Sequence, residues 1–581
     1  MSKAYVAKMS GLMNPQYAAK LIDFCQVMRL RSKAAYEILQ ANLLTVSVRQ
    51  LQRIGSADRR TRTTAIDLDR ESIIQRCKEW VSSVKGESET LVVSLAIDAT
   101  KVPKRIEVNA TYQIRVGKIS PYHAEKLSEG MSVENVDVKE LASEVKCAVF
   151  SAQNGRSGAC PMTLLAARPQ STNELSDFNE YIVDIVTSLD DVRLVSVSCD
   201  GLASESGFIR GKLLDFLKSK PSTLGLMDMN HVAKALRSQL VLGSSLITAG
   251  ANIVDPGLLL EAGIAKELLQ VTDYTSDALV LRLCSLESMD KLCALSNEEE
   301  GSIAATGLCL FFLQTLLIGA NSDSLDRDIR VCYFWCSLIW FTSLDGVHIT
   351  TLRNLASAVL GTVCLVLRDD IIKFRLVTIE PAEHMFGLLR MWRREFTIFE
   401  MLHYAEKMEK VLSCTFRSGL LASSSGLKGY QATFEGFRAS IEKMLQSRVA
   451  TKRSREPVVE QNNANYEGVQ FDEGPCAGAQ IEEKLLQLLN CASEQMGVLL
   501  TSPGLGLKAG SSPFCRSFAN FQDLANAFKD YMPATFRYDD GDLGGNSKTP
   551  HTGPDGSHSQ GTDVENVFLE SMAAILGPVG Y

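Results

Sequence analysis

The sequence predicts an α/β protein: a mixed sheet interrupted by a long all-α insertion. Three observations point there. Strand-like apolar runs close on Asp98, Asp200 and Asp228. A hairpin signal falls between the first two, where a doubly wound parallel fold would place a helix. From 240 to 370 the chain becomes mostly helical and apolar.

Taken in order, residues 1–85 read as helical. "LRSKAAYEILQANLLTVSVRQLQRI" carries two amphipathic segments broken near Leu43–Thr45, a pattern suited to a helix-turn-helix or to a small packing domain. The basic loop "RIGSADRRTRTT" then leads to a helix at 68–84. Its arginines fit either DNA contact or a solvated run.

Residues 90–240 hold the sheet. "LVVSLAID" is an apolar strand ending in Asp98. "EVKCAVFSAQ" and "CPMTLLAARP" flank the turn-rich "NGRSGA" as an antiparallel hairpin. "STNELSDFNEYIVDIVTSL" opens on capping residues and continues with helical periodicity. "VRLVSVSCD" is a strand ending in Asp200, "SESGFIRGKLLDFLKSK" a helix, and "STLGLMD" a short strand ending in Asp228. Antiparallel strands first and parallel crossovers afterwards is the ribonuclease-H-like arrangement.

The 241–372 segment is expected to be a helical insertion domain. "SIAATGLCLFFLQTLLIGA" has the length of a membrane span, but acidic residues flank it on both sides without basic anchors. With "VCYFWCSLIWF" and "LASAVLGTVCLVL" it reads as one buried bundle, so no membrane partner is expected. Residues 373–447 return to amphipathic helix, 448–475 has linker composition, and 476–535 reads as a small helical region. Residues 536–565 are too polar and glycine-rich to bury a core, and 566–581 reads as a short terminal helix.

Composition is that of a globular protein, 45% hydrophobic and 22% charged, with a net charge of −8 that argues mildly against a surface dominated by nucleic-acid binding. The first twenty residues lack the continuous apolar core of a cleavable signal. Fifteen cysteines without a C-x-x-C pair read as free thiols in a reducing compartment, rather than as a zinc site at Cys332 and Cys336.

An aspartate that closes a strand projects into the crevice where open α/β sheets bind ligands. Two on adjacent strands can hold a pair of Mg²⁺ ions about 4 Å apart for phosphoryl transfer. Aspartates also favour strand ends for turn chemistry alone. Asp228 and His231, in "LMDMNHVAKALRSQL", offer a third ligand and a phosphate contact, or a helix cap and a first-turn residue. Lys234 and Arg237 follow on one helix face, suited to phosphate or to solvent. In "VTIEPAEHMFGLLR" Pro381 begins a helix, Glu380 is the expected cap, and Glu383 lies in the first turn, where the helix dipole also favours a carboxylate.

In this order the stretches resemble the DDE transposases of the P-element and THAP-type group, and more loosely the hAT transposases. "LAIDATKV" and "VSCDGLASE" look like the first two catalytic strands of that group. "MDMNHVAKALRSQL" is similar to its Asp-x-x-His and basic helix, and "EPAEHMFGLLR" to the Glu-x-x-Phe-Gly block carrying the last acid. The likeness spans roughly residues 25–415. It implies a nuclease and strand transferase in which Asp98, Asp200 and Glu383 bind two Mg²⁺ or Mn²⁺ ions. Asp228, His231 and His384 would be auxiliary, and Arg59, Arg60, Lys234, Arg237, Arg390 and Arg393 candidate DNA contacts. It also implies DNA as partner, a homo-oligomer, and a nuclear location. The insertion of P-element transposases binds GTP; this sequence has no G-x-x-x-x-G-K-[ST] loop, a motif that the family's GTP site does not use, so GTP stays open. The sequence also lacks the amino-terminal zinc finger of THAP-type proteins. Two alternatives stand beside the transposase: a domesticated, catalytically inactive DNA- or protein-binding relative, and a ribonuclease-H-fold enzyme acting on RNA or a small phosphorylated substrate.

Overall fold

A computed structural model describes residues 19–42, 46–51, 70–85, 90–109, 114–116, 124–126, 138–153, 160–167, 172–200, 203–218, 223–242, 246–269, 277–295, 300–322, 325–366, 374–401, 404, 407–408, 411, 478–502, 505, 507 and 510–531. Arg59, Arg60, the 448–475 linker and the 536–581 segments lie outside the described residues. The chain divides into two compact units: Met1–Asp228 with Arg368–Thr433, and Met229–Leu367 with Phe434–Tyr581.

The first unit opens with α1 (Ala19–Arg31) and α2 (Lys33–Asn42). The described break between them is at Ser32, where the Ser32 hydroxyl accepts the Ala35 amide at 3.2 Å, an N-cap that starts a new helix. The break expected at 43–45 lies outside the described residues. Cys25, Tyr36, Val46 and Leu51 bury a small core between these segments, and α3 (Arg70–Val84) follows.

The sheet strands come next: β1 (Leu91–Lys101), then a three-stranded antiparallel meander of β2 (Glu107–Asn109), β3 (Ile114–Val116) and β4 (Ala124–Lys126), then β5 (Glu144–Ala152) and β6 (Cys160–Ala167). The sequence pattern assigns no element to 102–140, because three-residue strands are too short to show a period. After α4 (Thr172–Thr187) come β7 (Val192–Cys199), α5 (Ala203–Lys218) and β8 (Leu224–Met227). The main sheet has five strands in the order β6-β5-β1-β7-β8. β1 is antiparallel to β5 and parallel to β7, and β8 runs parallel to β7. This is the mixed sheet expected from a hairpin followed by two crossovers.

Each face of the sheet has its own cover. On one, Trp80 of α3 packs on Phe150 of β5 with ring centroids 5.0 Å apart. α4 presents Phe178, Ile182, Ile185 and Val186 at helical spacing, all buried. The other face carries Ala96, Val145, Cys147 and Val149, covered by the helix Glu380–Trp392, here called the return helix.

Gly225 of β8 lies so close to α5 that a Cβ built there would overlap the Ile209 carbonyl. Gly225→Ala should therefore push β8 off α5 and cost about 1–3 kcal/mol, read as a lower urea midpoint. A midpoint equal to wild type would show that the two elements part without cost.

The second unit begins with α6 (Met229–Leu242), so the split falls at Asp228, ahead of the boundary expected after 240. The reason is packing. Val232, Ala233, Leu236 and Leu240 are buried, and α6 lies against Glu300–Asn321 and Ile349–Val366. The three apolar segments form the helices Glu300–Asn321, Arg327–Ser343 and Ile349–Val366, packed in succession. Gly301–Asn321 is long and apolar enough to cross a bilayer, and 94% of its most apolar window is buried within the protein. The 476–535 region, read from the sequence as a small helical region, contributes Gly478–Leu500 and Phe521–Tyr531 to this same unit. Trp335, fully buried, donates its indole N–H to Ser493 Oγ at 2.9 Å and meets the rings of Phe514, Phe518 and Phe528 at 6.0, 5.9 and 6.2 Å.

Candidate functional site

Asp98 is the eighth residue of β1, three short of the strand's end, where the sequence pattern ends the strand at the aspartate itself. The strand continues because β5 pairs with it as far as Lys101↔Glu144. The ladder with β7, however, stops at Ala96↔Ser198. Asp98 thus stays in the antiparallel ladder, opposite Cys147, after leaving the parallel one. Its side chain is 8% exposed and its Oδ1 accepts the Ala99 amide at 2.7 Å.

Asp200 directly follows β7 and is half-buried. Asp98 and Asp200 each lie two residues beyond the last β1–β7 pair, Ala96↔Ser198. Having left the strand, the Asp200 carboxyl meets Glu205, in the first turn of α5.

Glu205 is 2% exposed and forms an ion pair with Lys146 of β5, itself wholly buried. Its Oε1 takes the lysine; its Oε2 has no donor among the described residues. Burial pushes the Glu205 carboxyl up to about 8; Lys146 pulls against that, and the charge of Asp200 and its contact add to it. Burial likewise raises Glu144, with Lys101 opposing and Asp200 adding. The Cys199 thiol, raised by burial, feels Glu205, Lys146, Asp200 and Asp98 together, so these charges gather at one end of the sheet.

The third acid arrives on the return helix. Glu380 is its first residue and Ile379 its N-cap, with no side-chain cap bond, so Glu380 is not the cap the sequence suggests. The Thr378 hydroxyl accepts the Glu380 amide at 3.2 Å, and the Ile379 carbonyl accepts from Ala382 and Glu383. Proline, lacking an N–H, needs no partner in that turn. Met385, Phe386 and Leu389 are buried against β1 and β5, with Met385 Sδ 3.6 Å from Cys147 Sγ. The Ser198 hydroxyl donates to the Val377 carbonyl, fastening the preceding turn to β7. Glu383 is half-buried in the first turn of this helix.

The structure therefore places Asp98, Asp200 and Glu383 on elements of one unit. It does not draw the three into one cluster: among the described residues, no three His, Cys, Asp or Glu side chains form a metal-ligating group. The donor set itself suits a hard divalent cation, being all carboxylate oxygen. The donorless Glu205 Oε2 beside Asp200 marks a place where positive charge would be welcome.

The remaining candidates separate. Asp228 is buried at the end of β8, its amide donating to the Cys199 carbonyl at 3.2 Å. His231 lies in α6, within the other unit. Lys234 and Arg237 are 5% and 0% exposed, which corrects their reading as facing phosphate or solvent: the helix is buried on its basic side as well as on its apolar one. Arg390 is exposed and donates to Thr100 Oγ1 at 2.7 Å; Arg393, also exposed, pairs with Glu400 at 3.2 Å. His384 lies on the return helix, and its side chain is outside the described residues. Lys146 and Glu205 are the residues the sequence reading misses. A lysine inside "EVKCAVF" was the available signal, since a cation in a strand buried on both faces requires a partner.

No protein-family model matches the chain, and none of the curated proteins compared matches it. Among solved structures, the chain is similar to one described as the Drosophila P element transposase strand transfer complex. The TM-score is 0.44 and the identity 13%, over 74% of this chain and 97% of that one.

Proposed function

We propose that this chain is a transposase-like DNA nuclease and strand transferase with a ribonuclease-H-like core, in which Asp98, Asp200 and Glu383 carry the chemistry. One observation carries the reading. After the excursion through residues 229–367, the chain returns to the sheet unit and lays the Glu383-bearing helix over β1 and β5. The strand order supports it, since a hairpin beside β1 and parallel strands on its other side put Asp98 in β1 and Asp200 just after its neighbour β7.

Asp98, Asp200 and Glu383 would hold two Mg²⁺ or Mn²⁺ ions. When bound, such ions activate a water or a DNA 3′-hydroxyl and stabilise the leaving oxygen of a phosphodiester. The chain's own part is to aim carboxylates. β1 and β7 fix two of them by register, and the apolar seat of Phe386 and Leu389 fixes the helix that bears the third. Arg390 and Arg393 would serve nearby DNA phosphates.

The test is nicking of duplex DNA with Mg²⁺ or Mn²⁺. Asp200→Asn should lower the rate by about 10²–10³-fold, the scale of losing a group that stabilises charge in the transition state. The second reading, a non-catalytic DNA- or protein-binding relative, is favoured by the three acids' lack of a common cluster. Absence of nicking on every DNA tested, with Mn²⁺ supplied, would decide for it.

A further inference from the structure

The Lys146–Glu205 pair lies outside the acid triad and has no role in the chemistry so far described. It is unusual in three respects. Both side chains are almost wholly buried in the sheet unit. One glutamate oxygen is committed to the lysine, while the other, Oε2, is buried without a donor among the described residues. That glutamate lies within hydrogen-bond reach of the Asp200 carboxyl, and two carboxyl groups in contact need either a shared proton or a cation between them. Such a contact invites a cation between them, and buried carboxylates are otherwise costly.

We propose that Glu205 is a further acidic cation ligand, whose Oε2 shares a divalent ion with Asp200 while Lys146 holds Oε1 and sets the carboxylate's aim. The proposal rests on the reading of Asp200 as a ligand and adds a residue to it. The lysine gives the arrangement its direction. With Oε1 held from β5, the side chain cannot rotate to offer both oxygens to the ion, so Glu205 contributes a single oxygen. The site is then assembled from β5, the end of β7 and the first turn of α5, elements that the sheet already holds in place.

The experiment is titration of the metal-free full-length chain with Mn²⁺ alone, followed by calorimetry and by the loss of the free-ion electron paramagnetic resonance signal. Glu205→Gln keeps the shape and an oxygen for Lys146 but removes the anionic ligand. It should weaken Mn²⁺ binding by about 10–100-fold, read at a temperature where the variant is folded. Should Glu205→Gln fail to fold, the double variant Lys146→Met with Glu205→Leu replaces the pair by apolar residues of similar volume, which buried pairs commonly tolerate. It should fold and show the same loss. Wild-type Mn²⁺ affinity in either folded variant, with affinity lost in Asp200→Asn, overturns the role of Glu205 and leaves the triad reading standing. Mn²⁺ binding that is absent in wild type, or indifferent to Asp200→Asn, overturns both.

Discussion

Trp335→Ala is expected to destabilise the helical unit by about 3–5 kcal/mol, the range for deleting a large buried aromatic. The indole is fully buried in Arg327–Ser343, and what it touches is distant in sequence: Ser493 on Gly478–Leu500, Phe514 and Phe518 after it, and Phe528 on Phe521–Tyr531. Removing it opens a cavity where these segments converge, and takes one donor from the Ser493 hydroxyl, which still donates to the Phe514 carbonyl. The loss should be local before it is global. Limited proteolysis of Trp335→Ala should cut within 478–531 under conditions that leave the wild-type segment intact. A wild-type cleavage pattern together with an unchanged urea midpoint would mean that these helices are held by other contacts.

Lys146→Met should cost the sheet unit a similar amount, about 3–5 kcal/mol, because it leaves Glu205 buried with neither oxygen served by a donor. The size of a methionine matches the lysine stem, so little of the effect is packing. The partner substitution separates the causes: adding Glu205→Leu to Lys146→Met should recover most of the loss, since an apolar pair replaces a stranded carboxylate. Urea unfolding of the wild type, both single variants and the double variant, followed by hydrogen exchange of the sheet-unit amides, gives the coupling directly. Additive losses in the double variant would show that the two side chains do not depend on each other.

How much of this was legible beforehand differs by element. The hairpin of β5 and β6, the helix α4 and the strands ending near Asp200 and Asp228 announce themselves by period and turn residues, and the structure has them in that order. The break at Ser32 has a capping residue, a local signal that the sequence reading does not use. Lys234 and Arg237 show the limit of charge as a guide: the same helix carries a basic stripe and an apolar one, and packing buries both. The Trp335 cluster could not be foreseen either, because a contact across about 150 residues leaves no local period.

By itself, the sequence determined the strands of the main sheet, the hairpin, the apolar bundle and the acids worth watching, since propensity, alternation and turn chemistry are local properties of neighbouring residues. Only the tertiary structure decided that the helix bearing Glu383 comes back to β1 and β5, that residues 478–531 complete the helical unit, and that Lys146 and Glu205 meet beside Asp200. Those are long-range pairings, fixed by which buried surfaces fit and which buried charges find a counter-charge. No stretch of the chain taken alone contains both halves of such a contact.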